Sequence, residues 1–148
     1  MKPDYNILNV VPHGMPMSLL DGIEDYSDKS LVANVTIRKD SMFCEPDGVP
    51  AWVGLEYMGQ AVAAYAGVKA RIANQPVRIG FLVSTRRYES ACSHFPVGTS
   101  LSVSVNQVTD NTIGLQVFTC RITGKNIEIQ ANLNVFLPEN LEEFYGKT

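Results

Sequence analysis

Residues 50–73 limit the fold more than any other part of this sequence. The stretch is apolar on nearly every side of a helical wheel, and between residues 50 and 68 its one carboxylate is Glu56. A surface helix carries a single apolar stripe, whereas one that is apolar all round has to be enclosed. Pro50 suits a first helical turn, where its missing N–H has no intrahelical partner to lose. Asn74-Gln75-Pro76 supplies the stop. The segment holds Glu56, Gln60 and three glycines, and its neighbours read as amphipathic strands, so a core helix fits it better than a membrane span.

A buried helix needs something to wrap it, and the flanking sequence offers strands. Residues 30–38 alternate, with Leu31, Ala33, Val35 and Ile37 on one face and Asn34, Thr36 and Arg38 on the other. Residues 126–137 alternate more strongly still, placing Ile127, Ile129, Ala131, Leu133, Val135 and Leu137 opposite Glu128, Gln130, Asn132 and Asn134. Further strands are expected over 17–26, 79–91, 100–110 and 112–123, with tight turns at Asp110-Asn111 and Gly124-Lys125. Short helices are expected over 5–11 and in the tail from 138, and a loop over 39–49. One long helix wrapped by one curved antiparallel sheet is an α+β arrangement. It is the hotdog fold, expected here as a single domain over residues 1–148.

Composition narrows the function. With 148 residues, 45% hydrophobic and 18% charged, the chain has the make-up of an ordinary globular domain. A net charge of -3 and the lack of any Lys/Arg run argue against nucleic acid as a partner. The first residues show no apolar signal region. Cys44, Cys92 and Cys120 are odd in number and widely spaced, which reads as free thiols in a cytoplasmic protein. His13 and His94 are the only histidines, too few for a metal cluster, and no glycine-rich phosphate loop suggests a cofactor.

Chemistry therefore converges on Glu56. A buried carboxylate must be paired, hydrogen-bonded or protonated. Gln60 lies four residues on and shares its helical face, where it can orient the carboxyl group. The alternative is that Glu56 reaches solvent near the helix start or completes a network without chemistry. Backbone N–H groups near Ala51, Trp52 and Val53 add a second element, since the first turn leaves donors free and the helix dipole favours negative charge. Such donors can hold a thioester carbonyl that gains charge in a reaction, although Trp52 and its neighbours also suit plain core packing.

The run Pro50-Ala51-Trp52-Val53-Gly54-Leu55-Glu56-Tyr57-Met58-Gly59-Gln60 resembles the central-helix motif of the 3-hydroxyacyl-acyl-carrier-protein dehydratases, P-G-V-L-x-x-E-x-x-A-Q. Val11-Pro12-His13-Gly14-Met15-Pro16-Met17-Ser18-Leu19-Leu20-Asp21 is similar to that family's opening, and Phe95-Pro96-Val97-Gly98-Thr99 to a later turn. The divergent dehydratases of aryl-polyene gene clusters resemble the chain most, through P-x-W-x-x-L-E-x-M-x-Q. The resemblance implies a hydro-lyase that converts a 3-hydroxyacyl thioester on acyl carrier protein to the trans-2-enoyl thioester, with Glu56 as the acid. It also implies a dimer with sites built across the interface, and a basic docking surface for which Arg78, Arg86, Arg87, Lys69 and Arg71 are candidates.

One departure is decisive. The family's histidine, fourteen residues before the acid, is replaced by Met42. The base then comes either from His13 or from a second hotdog subunit in a heterodimer, while His94-Phe95-Pro96 reads as a coincidental copy of the family tripeptide. The helix-start glycine is replaced by Ala51, which keeps its N–H but crowds the approach. Glu56 alone would also serve a thioesterase, and a non-catalytic subunit is the third class.

Overall fold

The computed structural model describes residues 19–74, 81–86, 88–110 and 115–136. His13, the expected helix over 5–11, the tail from 138 and the Asp110-Asn111 turn all involve positions outside them. The element order is β1 (Gly22–Tyr26), β2 (Ser30–Thr36), β3 (Val49–Pro50), α1 (Val53–Ile72), β4 (Phe81–Arg86), β5 (His94–Phe95), β6 (Ser100–Asp110), β7 (Leu115–Gly124) and β8 (Ile127–Phe136). Six of the strands form one sheet in the order β1-β2-β6-β7-β8-β4, with every neighbouring pair antiparallel.

The alternating patterns define the inner face. Leu31, Ala33, Val35 and Ile37 are buried, as are Leu101, Val103 and Val105 of β6 and Phe118, Cys120 and Ile122 of β7. Ile129, Ala131 and Leu133 extend that face along β8. Helix α1 lies against it, contacting β2, β6 and β7, and buries Val53, Met58, Ala61, Val62, Tyr65 and Val68. Tyr65 locks the packing. Its ring meets Phe118 edge-on at 5.5 Å, and its hydroxyl lies 2.6 Å from the Asp28 carbonyl and 2.9 Å from Gln107 Oε1. This is the hotdog architecture.

Two local features differ from the sequence reading. Pro50 does not open the helix. It pairs with His94 in a small two-stranded sheet formed by β3 and β5, and α1 begins at Val53. The β7–β8 turn falls on Lys125-Asn126, with Asn126 at φ 60° and Gly124 still paired to Ile127. Asn tolerates the left-handed region that a tight hairpin requires. Gly124 is instead needed for close approach, since a Cβ there would lie 2.9 Å from Leu101 Cδ2 and 3.0 Å from the Ser100 carbonyl oxygen. At its other end the helix stops as expected, with Asn74 at φ 57° and its N–H donating to the Arg71 carbonyl at 3.1 Å.

Candidate active site

The two-stranded sheet carries the chain into α1. Val49 and Phe95 pair on its inner side and are fully buried. Phe95 stacks on Tyr57 of the helix at 6.1 Å. The next residue, Ala51, is held from two directions. Its N–H donates to the Ser93 carbonyl at 2.9 Å, and its carbonyl accepts from the Tyr88 hydroxyl. Ala51 N–H is therefore not the free donor that the sequence suggested. Gly54 and Leu55 N–H close back on the carbonyls of Ala51 and Trp52 at 3.0 and 3.2 Å. The amides of Trp52 and Val53 take part in none of these bonds, and they stand at the positive end of a 20-residue helix.

Glu56 lies one turn beyond Trp52, on an exposed part of the helix. Among the described residues, no hydrogen bond or ion pair engages its carboxylate. The structure thus favours the solvent-reaching alternative for the isolated chain. Gln60 does not share that exposure. It is buried, and its Oε1 accepts from Leu19 N–H at 2.7 Å, tying the segment before β1 to the helix. The helix is accordingly not enclosed on all sides. Trp52 is 59% exposed, Glu56 is open, and a Cβ on Gly59 would meet nothing within 4 Å.

The residues at the family's histidine position join this open face. Met42 and Phe43 are exposed, and the Phe43 ring lies 5.5 Å from Trp52. Phe43 sits at φ 67°, an uncommon conformation for a bulky residue. His94 is engaged elsewhere, with Nε2 2.9 Å from Glu45 Oε1 and Nδ1 3.0 Å from Ser93 Oγ.

The contacts of Tyr88 and Ser93 with Ala51 were not legible in the sequence, because each acts on Ala51 from about forty positions away with no local pattern. Of the basic docking candidates, Lys69 lies 3.8 Å from Asp28 and over the Tyr65 ring, and Arg71 is exposed. Arg78 and Arg87 fall outside the described residues. Among the described residues, no helix is long and apolar enough to cross a membrane.

No curated protein sequence matches the chain. The fold recurs in the dehydratase heterocomplex ApeI:P from Xenorhabdus doucetiae, with a TM-score of 0.86, 23% identity and 97% of each chain covered. It recurs more distantly in a hypothetical thioesterase with coenzyme A from Streptococcus pneumoniae TIGR4, at TM-score 0.61 and 12% identity, covering 78% of this chain and 86% of the other. The PaaI protein of the Escherichia coli phenylacetic acid degradation operon is similar at TM-score 0.61 and 8% identity, covering 77% and 80%. The model of the ApeP-like family, described as ApeP dehydratase, matches residues 5–146. With nearly its whole length matched, and the acid-bearing helix motif inside the match, the chain belongs to the ApeP-like family of dehydratases.

Proposed function

We propose that this chain supplies the acidic half of a two-subunit site, in which Glu56 protonates the departing hydroxyl and a histidine from a second hotdog subunit removes the C2 proton. The reaction is that of its family, a hydro-lyase step of aryl-polyene biosynthesis that takes a 3-hydroxyacyl thioester to the enoyl thioester. Two proton transfers are needed, one from carbon and one to oxygen, and a separate group serves each. The Trp52 and Val53 amides hold the thioester carbonyl as charge builds on its oxygen.

The observation that carries this reading is the open position of Glu56. An acid that protonates a leaving group must itself hold a proton, which a carboxyl group does in a dry site rather than in open water. A subunit laid over Trp52, Phe43 and Gly59 would exclude water there and bring the base that Met42 does not provide. The ApeI:P structure is a heterocomplex of this fold, which supports a hetero-oligomer here. His13 is the competing source of the base within the chain. The substrate is carried by acyl carrier protein, and the three free thiols support a cytoplasmic location.

The test is incubation with a 3-hydroxyacyl thioester, alone and with a hotdog subunit that bears the family histidine. An enoyl product only in the mixture supports the proposal. Product from the chain alone that disappears in His13→Ala places the base in this chain instead. Free acid would mean thioesterase chemistry.

A further inference from the structure

Tyr88 has no counterpart in the motifs that identify the family, yet it touches the backbone where the thioester carbonyl is expected to bind. Its hydroxyl donates to the carbonyl of Ala51, and the other half of that same peptide unit is the Trp52 N–H. We propose that Tyr88 is a positioning residue for dehydration, one that fixes and polarises the Ala51–Trp52 peptide so that Trp52 N–H is a rigid, strengthened donor. This rests on the reading of the helix start as the carbonyl-binding place.

Three observations converge on it. The peptide is anchored at both ends of Ala51, since Ala51 N–H donates to Ser93 and Gly54 N–H returns to the Ala51 carbonyl at 3.0 Å. That carbonyl therefore accepts from two donors, one more than a helix start requires. Hydrogen bonds in series polarise one another, so loading the carbonyl strengthens the N–H across the amide. Gly54 is shaped around the contact. A Cβ at that position would press into the Tyr88 hydroxyl and lie 2.9 Å from Ile122 Cδ1 and 3.2 Å from Phe95 Cζ. Burial pushes the Tyr88 phenol up to about 12, with Cys92 and Tyr57 adding to the effect, so the group keeps its proton and remains a donor at any working pH.

The experiment compares wild type, Tyr88→Phe and Glu56→Gln in the active dehydratase assembly, beside backbone NMR of the isolated chain. Tyr88→Phe keeps the ring and removes only the hydroxyl. We expect kcat to fall roughly 10-fold, less than the loss from deleting an oxyanion donor outright, with KM unchanged. The Trp52 amide 15N resonance should move upfield as its carbonyl partner is lost. A kcat within about twofold of wild type, or an unmoved Trp52 resonance, would overturn the proposal. Gly54→Ala, which displaces the hydroxyl without removing it, should lower kcat similarly. The double variant should be no slower than the worse single one, because both act through one contact, and fully additive losses would contradict that. If Glu56→Gln is inactive while Tyr88→Phe is not impaired, the Tyr88 role alone fails. If Glu56→Gln is fully active, the site reading fails and this inference with it.

Discussion

Trp52→Ala separates a side chain that stabilises this chain from one that stabilises its assembly. Trp52 is 59% exposed. For a side chain of roughly 250 Å², that leaves about 150 Å² available to a partner. At ~25 cal/mol per Å², covering it contributes about 3–4 kcal/mol before ordering costs are subtracted. Interface ordering and imperfect packing take part of this, leaving about 2 kcal/mol, or roughly a thirtyfold change in Kd. Within the chain Trp52 packs on Phe43 at 5.5 Å, and the substitution should lower stability by under ~1 kcal/mol, as for most exposed positions. Because Trp52 is the only tryptophan in the chain, its fluorescence reports its own burial. Emission should shift to the blue as a histidine-bearing hotdog subunit is titrated in. Calorimetric titration of Trp52→Ala should then show the weaker Kd. A complex that forms without any emission shift, or a Trp52→Ala affinity within about twofold of wild type, would refute the placement of the partner over this face.

Three further outcomes follow from the geometry. Burial raises the phenols of Tyr57 and Tyr88 from 10.0 to about 12 and the Cys120 thiol from 9.0 to about 12, with Asp21 and Cys44 adding to the effect on Tyr57. All three lose protons more readily when unfolded, so their contribution to stability is present below about pH 9, is lost as pH rises toward 12 and changes no further beyond; denaturant melts across that range would show it. His94→Gln should leave dehydration within about twofold of wild type, because the imidazole is engaged by Glu45 and Ser93; a loss near 100-fold would instead make it catalytic. Gln60→Leu strands the Leu19 N–H and should cost about 1–3 kcal/mol in a thermal or chemical melt, with no direct effect on Glu56.

The large elements were legible because their signals are periodic. The strict alternation of β2 and β8 put the correct residues on the inner face, and the long apolar run gave α1 to within a few residues. The small sheet of β3 and β5 was not legible. Two-residue strands have no period, and Pro50 before an apolar run looks like the first residue of a helix. The exposed face of α1 was hidden for a different reason. Trp52, Gly59 and Ala63 read as core in any pattern that scores apolar residues, and an apolar face left open has the same composition as an interior. Glu56 could be identified as the acid from the motif around it. That no side chain among the described residues engages it became visible only in three dimensions.

The most direct measurement is the rate of enoyl thioester formation by this chain mixed with a histidine-bearing hotdog subunit, before and after Glu56→Gln in this chain alone. If Glu56 protonates the departing hydroxyl, the substitution lowers the rate by at least ~100-fold while the complex still assembles. A Glu56→Gln assembly that dehydrates at the wild-type rate would contradict the account.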